Sequence, residues 1–310
     1  MGFYDFHCDV LYKLWMNPTL SFANSEALDI HLGRLTRQGA EVQTFALFVA
    51  EEVADIQQFD VVLEMINLYN EQVLAQPQIK PILTKADVEN LTPPNIGAFL
   101  TLEGCDAIGK SLDRLKILLH LGVRSVGLTW NDANAVADGV GEPRGAGLSL
   151  FGKDVVRTLN EHNCWTDVSH LSIAGFWDVI DLADVVWASH SNARAIADHP
   201  RNLNDDQIKA LFARKGLMGV TFVPDFIRVD QPARAEDLLT HIDHLLALGG
   251  EDFVIIGSDF DGIDEKTIGL ETYDSMQSFK DLLASRYDKE IVDKLTRENA
   301  RRFMLEHLPS

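Results

Sequence analysis

The sequence predicts a (β/α)8 TIM-like barrel, an α/β fold in which eight parallel strands alternate with helices. Two observations favour it: short apolar runs alternate with amphipathic stretches of helical period, and eight such units fit a chain of 310 residues. The first strand-to-helix turn carries no G-x-G-x-x-G fingerprint, which disfavours a doubly wound open sheet. Because no repeat, low-complexity tract or linker divides the sequence, we predict a single domain over residues 1–310, with helices at its C-terminal end.

The predicted strands are the short runs rich in β-branched and aromatic residues. They cover residues 3–9, 42–49, 96–103, 123–129, 164–170, 184–190, 217–223 and 253–259. Helices are expected over about 29–37, 55–74, 112–119, 151–162, 204–214 and 235–248, with Ser111, Ser172 and Asn204 as N-caps. Strands that are separated by helices pair in parallel through crossover connections, which is the arrangement of the barrel.

Composition and charge argue against several kinds of binding partner and predict a cellular compartment. The net charge of −20 and the pI of about 4.8 make nucleic acid and anionic membrane surfaces poor partners. The three cysteines Cys8, Cys105 and Cys164 form no CxxC pair and lie in apolar, strand-like stretches. We therefore expect buried free thiols and a reducing, cytoplasmic compartment. No signal-peptide pattern is present and no apolar run approaches the ~18 residues of a membrane helix, so no membrane association is expected.

Residues with metal-ligating side chains recur at the ends of the predicted strands. They are His7 and Asp9 on the first strand, Glu103 on the third, His170 on the fifth, His190 on the sixth and Asp259 on the eighth. Residues i and i+2 of a strand point the same way, so His7 and Asp9 project together while Cys8 turns away. All strand ends of a barrel meet at one rim, where active sites of this fold lie. Three imidazoles and three carboxylates there indicate a metal centre, and two divalent ions bridged by Glu103 and a hydroxide would satisfy them.

The chain resembles the membrane dipeptidase (renal dipeptidase) family of the metal-dependent amidohydrolase superfamily. The resemblance rests on six short stretches in order between residues 5 and 262: Asp5-Phe6-His7-Cys8-Asp9, Leu102-Glu103-Gly104, Asp167-Val168-Ser169-His170, Ser189-His190-Ser191, His199-Pro200-Arg201-Asn202 and Gly257-Ser258-Asp259-Phe260-Asp261-Gly262. It implies a distorted barrel with two Zn²⁺ per chain. In that scheme His7 and Asp9 hold one ion, His170 and His190 hold the other, and Glu103 bridges them. Most superfamily relatives use a carboxylated lysine as the bridge instead.

The same resemblance implies roles for residues around the metals. Asp259 matches the family's catalytic aspartate, which can accept a proton from the attacking water and pass it to the leaving amine. Arg201 matches an arginine that contacts the substrate's carboxylate, and it could bind that group bidentately. We therefore predict a zinc-dependent dipeptidase acting through a hydroxide that bridges two metal ions, with Glu103 and Asp259 as catalytic residues. The resemblance also suggests tolerance of a D-residue at the C-terminal position of the dipeptide.

Two positions of the substrate pocket depart from the family's pattern. Trp130 stands where animal members carry a substrate-contacting histidine, and Val223 stands where a tyrosine aligns. Trp130 is either a packing residue or an apolar, substrate-binding wall of the pocket, and the sequence favours neither. Because of these departures, a second hypothesis is another metal-dependent amidohydrolase, one that acts on N-acyl amino acids or cyclic amides. A third hypothesis, from another class, is a non-catalytic barrel that binds peptides. The sequence does not decide whether the chain forms a homodimer.

Three other histidines and one loop have simpler interpretations. His241 and His244 lie three apart on a predicted outer helix, and the flanking pattern favours a surface face over a metal pair. His31 lies in another helical stretch and is expected to be exposed. The glycine-rich stretch 138–147 lacks a Gly-Lys-Ser/Thr ending, so we expect a mobile connection near the rim and not a phosphate loop.

Overall fold

The computed structural model describes residues 2–230 and 232–310 and contains the parallel sheet that the sequence predicts. The strands are β1 (Phe3–Asp5), β2 (Ala40–Phe48), β3 (Ile79–Pro81), β4 (Ile96–Glu103), β5 (Val123–Gly127), β6 (Trp165–Asp167), β7 (Val186–Trp187), β8 (Met218–Val220) and β9 (Val254–Ile256). They pair in the order β7-β6-β5-β4-β2-β1-β9-β8. The short strand β3, which the sequence analysis missed, pairs with the amino half of β4, while β5 pairs with its carboxyl half.

The barrel closes between β7 and β8. Ala188, just after β7, forms a parallel bridge with Met218, and its N–H donates to the carbonyl of Leu217 at 2.8 Å. A Cβ at Gly219 would lie 1.9 Å from the carbonyl oxygen of Ser189, so only glycine allows so close an approach at this seam. The eight predicted strands therefore form a nearly closed parallel barrel, which confirms the fold class. Strands β6 to β9 have only two or three residues each, so the barrel is irregular on this side.

The helices follow the strands in the alternation expected from the sequence. They are α1 (Val10–Met16), α2 (Leu32–Gln38), α3 (Asp55–Leu68), α4 (Lys85–Glu89), α5 (Leu112–His120), α6 (Leu150–Glu161), α7 (Ile173–Leu182), α8 (Asp205–Ala213), α9 (Pro224–Ile227), α10 (Ala235–Ala247), α11 (Met276–Arg286), α12 (Lys289–Asp293) and α13 (Asn299–His307). Ser111, Ser172 and Asn204 are N-caps, as predicted, because each side chain accepts a backbone N–H from the first turn of its helix. Met1 and Gln231, which the predicted domain includes, lie outside the described residues.

An aromatic cluster fills the inside of the barrel beneath the predicted site. Phe6, just after β1, meets Trp187 from β7 and Phe99 from β4, with ring centroids 5.4 and 6.3 Å apart. Contact between strands that are not neighbours in the sheet places these rings in the interior. Phe303 of α13 packs edge-on against Trp165 at 4.8 Å, so the last helix covers the amino end of β6. The carboxyl ends of the strands are left open to the site.

Cys8, Cys105 and Cys164 are buried free thiols, as predicted from their spacing and their apolar surroundings. The expectation that His31 is exposed is wrong. His31 is buried as the N-cap of α2, where its Nδ1 accepts the N–H of Gly33 at 3.2 Å. Within the described ranges, no helix combines the length and the apolar character that a membrane span requires.

Candidate metal centre and active site

The barrel brings the six predicted rim residues together. His7 and Asp9 follow β1, and Glu103 is the last residue of β4. His170, His190 and Asp259 each stand three positions after the end of their strands, β6, β7 and β9. Since all these strands run in parallel, their carboxyl ends deliver the side chains to one end of the barrel.

The carboxylate of Glu103 lies at the centre of the cluster. Its Oε2 is 3.2 Å from Nε2 of His7, and its Oε1 is 3.1 Å from Nε2 of His170 and 3.7 Å from Nε2 of His190. On the other side, Nε2 of His7 is 3.3 Å from Asp9 and 3.7 Å from Asp259. The donor atoms of His7, Glu103 and His190 lie within 4.8 Å of one another, and so do those of His7, Asp9 and Asp259. The geometry therefore offers two adjoining donor sets that share His7.

Buried atoms without partners indicate that this donor set fits a cation. Nε2 of His7 and Oδ1 of Asp9 are buried and have no hydrogen-bond partner among the described residues. Such atoms are rare because each one costs free energy on burial. The Nε2 atoms of His170 and His190 point at one another across 2.9 Å, in a cluster with three carboxylates. Imidazole nitrogens and carboxylate oxygens in this number suit a divalent transition metal such as zinc.

Burial keeps two of the histidines in the neutral form that binds metals. It lowers the pKa of His170 to about 3, and the nearby guanidinium of Arg201 adds to this effect. Burial also lowers the pKa of His190 well below its ordinary value, with His7 and Arg201 as further causes. A neutral imidazole has a free nitrogen lone pair, so both rings are ready to act as ligands.

The carboxylates of Asp9, Glu103 and Asp259 make the rim favourable for positive charge. Burial opposes a charge on His7, but Glu103 and Asp9 raise its pKa well above the ordinary value. Burial would raise the pKa of Glu103, but its histidine neighbours hold that pKa well below the usual range. Burial raises the pKa of Asp259 well above its ordinary value; His7 opposes this shift, while Asp9 and Glu103 reinforce it. A bound divalent cation would supply the positive charge that otherwise comes from protonation of His7.

Residues that the sequence analysis did not single out orient the histidine rings. Oδ1 of Asn131 lies 2.9 Å from Nδ1 of His170, and Oγ of Ser189 lies 2.7 Å from Nδ1 of His190. The carboxylate of Asp167 accepts the backbone N–H of Ser189 at 3.0 Å. Partners of this kind fix the orientation of metal-binding imidazoles. Their signal in the sequence is their position beside the strand ends, and Asp167 and Ser189 also fall within the stretches that resemble the family.

Two rim residues adopt a backbone conformation that is uncommon outside glycine. His170 has φ of 65° and Asp259 has φ of 69°, in the left-handed region. Such residues concentrate at functional sites, where the surrounding structure holds them in place. This strain therefore supports the assignment of the rim as the site.

A cavity of about 370 Å³ opens above the rim. Asp9, Glu103, His170 and Asp259 form part of its polar wall. Its apolar wall consists of Tyr12, Met16, Phe48, Trp130, Val223, Phe226 and Ile263. The Trp130 ring packs against Phe48 at 5.2 Å and against His170 at 6.0 Å, and it also lines the cavity. Trp130 is therefore both a packing residue and part of the cavity wall.

Arg201 lies beside the rim and is not among the residues that line this cavity. Its Nη2 donates to the carbonyl of His190 at 2.8 Å and its Nη1 donates to Oγ of Ser191 at 3.3 Å. Its Nε is buried and has no hydrogen-bond partner within the described part of the chain. Burial lowers the pKa of Arg201 to about 10. The guanidinium therefore keeps one donor group without a partner, close to a predicted metal ligand.

The predicted surface position of His241 is wrong. His241 is fully buried in α10, where its Nδ1 accepts the N–H of Ala193 at 3.1 Å and its Nε2 donates to the carbonyl of Ile227 at 2.9 Å. His244 is partly exposed and pairs with Asp205 at 2.8 Å. Both nitrogens of His241 are used in the core, so the two histidines do not form a metal pair.

A parallel barrel with imidazoles and carboxylates clustered at the carboxyl rim is typical of metal-dependent enzymes, metal-dependent hydrolases among them. The family model described as membrane dipeptidase (peptidase family M19) matches residues 1–307. The chain belongs to this family and is a metallo-dipeptidase. This result confirms the family, the fold and the enzyme class that the sequence predicts.

Individual relatives are similar to this chain over most of its length. An uncharacterized protein from the pqqA 5'region of Klebsiella pneumoniae is 35% identical over 234 residues, which cover 72% of this chain and 86% of that protein. The crystal structure of the dipeptidase AC, a metallo peptidase, is 28% identical with a TM-score of 0.92, and the match covers 100% of this chain and 99% of that one. A metallo peptidase from Rhodobacter sphaeroides is also 28% identical, with a TM-score of 0.91 and 99% of both chains covered. That structure contains a phosphinate mimic of the dipeptide L-Ala-D-Ala.

Proposed function

We propose that the chain hydrolyses the peptide bond of dipeptides with two zinc ions bound at the rim. His7 and Asp9 would hold one ion, His170 and His190 would hold the other, and Glu103 would bridge them. The position of Glu103 carries the proposal. A bridging carboxylate must offer one oxygen to each ion, and Oε2 of Glu103 faces His7 at 3.2 Å while Oε1 faces His170 at 3.1 Å.

The chemistry divides between the ions and the protein. The bound ions would supply a hydroxide nucleophile near neutral pH and polarise the scissile carbonyl. Asp259 stands at the same rim, 3.7 Å from His7, and lines the cavity. From there its carboxylate can accept a proton from the attacking water and deliver it to the leaving amine. Glu103 and Asp259 are therefore the catalytic residues of the proposal.

The walls of the site suggest how a dipeptide is held. We assign the C-terminal carboxylate of the substrate to Arg201, as the family resemblance implies. Its guanidinium lies beside the rim behind the cavity wall, and its buried Nε has no partner among the described residues. Trp130 and Val223 would contact apolar parts of the substrate across the cavity wall. The cavity of about 370 Å³ lies at the small end of the range for ligand sites, in keeping with a small substrate. Because the Rhodobacter sphaeroides relative binds a mimic of L-Ala-D-Ala, we extend the proposal to dipeptides that end in a D-residue.

The three buried free thiols support our proposal that the enzyme works in the reducing cytoplasm. Free thiols are typical of proteins in a reducing compartment. Cell fractionation followed by immunoblotting would test this point, and recovery of the protein outside the cytoplasm would reject it.

Metal analysis and dipeptide assays on one preparation test the proposed reaction. We expect about two zinc ions per chain and chelator-sensitive cleavage of L,L- and L,D-dipeptides, with no cleavage when the C-terminal carboxylate is amidated. Glu103→Gln keeps the side-chain volume and should lose metal and activity, whereas Glu89→Gln, at an exposed position, should behave as wild type. Two bound ions without dipeptide cleavage would reject the substrate assignment. A chain that binds no metal would reject the whole proposal.

A further inference from the structure

His170 is held at three points by residues from two neighbouring segments. Its ring nitrogen Nδ1 lies 2.9 Å from Oδ1 of Asn131. Its carbonyl oxygen accepts the backbone N–H of Val140 at 2.7 Å and the hydroxyl of Thr129 at 3.3 Å. These contacts hold both the ring and the backbone of a residue whose φ of 65° is unfavourable for a histidine.

The contact with Asn131 determines which ring nitrogen of His170 is free. Nε2 points at Glu103 and His190, so it is the atom that faces a metal ion at the rim. A neutral imidazole that binds metal through Nε2 carries its proton on Nδ1. The carboxamide oxygen of Asn131 can accept that proton's hydrogen bond and cannot donate one. The pair therefore selects the metal-binding tautomer and fixes the plane of the ring.

The glycine-rich segment, residues 138–147, holds Asn131 in place. The N–H of Gly141 donates to the carbonyl of Asn131 at 2.7 Å, and the N–H of Gly139 donates to the carbonyl of Asp132 at 3.0 Å. A Cβ at Gly139 would lie 2.3 Å from the carbonyl oxygen of Asn131, so only glycine permits this contact. The segment also supplies Val140, which binds the carbonyl of His170. One segment thus fixes both members of the Asn131–His170 pair.

The glycine-rich segment is itself held by a buried carboxylate. Asp138 accepts hydrogen bonds from Nε of Arg144 at 2.9 Å and from the N–H of Ala146 at 2.6 Å. These bonds tie the two ends of the segment together. These hydrogen bonds support a positioning role for the segment that the sequence analysis expected to be a mobile connection. The close approach to Asn131 accounts for Gly139.

We infer that Asn131, held by the glycine-rich segment, is the positioning residue that orients His170 toward a metal ion at the rim. The inference rests on the proposed function, because it assumes that His170 binds metal. It adds a residue and a segment that act through His170. Asn131 also lines the cavity, so the test measures metal affinity without a substrate.

Metal affinity of four variants tests the inference. The variants are Asn131→Ala, Asn131→Asp, Gly139→Ala and the control Asp132→Asn, whose exposed side chain lies next to Asn131 in the sequence. Competition with a chromophoric chelator measures zinc affinity without a substrate. We expect Asn131→Ala to bind the more weakly held zinc about 10- to 100-fold less tightly, which is the usual effect of losing such a partner. Asn131→Asp keeps an acceptor oxygen and should restore most of the affinity.

Gly139→Ala provides an independent route to the same effect, because it displaces the backbone of Asn131 and keeps its side chain. Proton NMR of the Co²⁺-substituted protein gives a second readout: a slowly exchanging Nδ1–H signal from His170 should be present in wild type and absent in Asn131→Ala. Unfolding of the metal-free variants checks that they fold. If Asn131→Ala keeps wild-type zinc affinity and the imidazole signal while wild type binds two ions, this inference is rejected and the proposed function stands. If wild type binds no zinc, both are rejected.

Discussion

Replacing Asp259 with asparagine should slow hydrolysis and leave the fold and the metal site in place. Asparagine has the shape of aspartate and tolerates the left-handed conformation that Asp259 adopts, with φ of 69°. Oδ1 of Asp259 is 3.7 Å from His7, beyond hydrogen-bond distance, so the change removes no hydrogen bond from that ring. It does remove the proton acceptor, and a general base contributes about 10²- to 10⁴-fold. We expect kcat to fall by that factor, equivalent to about 2.7 to 5.4 kcal/mol of activation free energy at 1.36 kcal/mol per tenfold.

Steady-state kinetics with one L,L-dipeptide, together with zinc analysis of the same samples, measure this effect. Glu265→Gln is the matched control, because Glu265 is an exposed carboxylate on the segment that follows Asp259. Its kcat should equal that of wild type. Asp259→Ala should also be less stable than Asp259→Asn, since alanine in a left-handed conformation costs roughly 1–2 kcal/mol. An Asp259→Asn enzyme that retains full zinc content and more than about a tenth of the wild-type kcat would refute the role of Asp259 as general base.

Three further predictions concern the metals, the substrate and the core. Chelation should abolish activity and lower the melting temperature, and zinc should restore both, because a ligand at 100 times its Kd stabilises the folded state by about 2.7 kcal/mol; activity that survives complete metal removal would contradict this. Arg201→Lys should raise KM for free dipeptides by about 10- to 100-fold, the equivalent of one lost charge-assisted hydrogen bond, and an unchanged KM would remove Arg201 from the substrate site. His241→Leu leaves the N–H of Ala193 and the carbonyl of Ile227 unpaired, so urea unfolding should show a loss of about 1–3 kcal/mol for each group. The control His244→Gln should lose less than about 1 kcal/mol, since His244 makes a surface pair, and equal losses in the two variants would contradict the core role of His241.

The rim could be predicted from the sequence because its residues are defined by strand ends. Four of these residues stand at or just after an apolar run: His7, Glu103, His190 and Asp259. Parallel strands bring such positions to one end of a barrel, independently of the conformation of the loops. The period of two along the first strand was enough to place His7 and Asp9 together. The core thiols followed from equally local information, the apolar runs around them.

Contacts between distant loops could not be predicted in this way. His241 has its partners 48 and 14 residues away, in the loop after β7 and at the end of α9, and their approach depends on how α9 and α10 pack. Its sequence pattern alone therefore suggested a surface position. Asn131 meets His170 across 39 residues, and only the folded glycine-rich segment brings them together. Strand β3 is a run of three residues that gains its partner from β4, and so short a run has no distinct periodicity.

The left-handed backbone at His170 and Asp259 limits how this enzyme can evolve. In that conformation β-branched and bulky residues are strongly disfavoured, and glycine, asparagine and aspartate are the easy replacements. Most other side chains could be introduced at these two positions only if the loops around them were rebuilt. Trp130 and Val223 are outside that conformation and face the cavity, so they can vary without such rebuilding. Selection on a barrel of this design can alter the substrate one wall residue at a time, while the groups that perform the hydrolysis stay fixed by the shape of the chain.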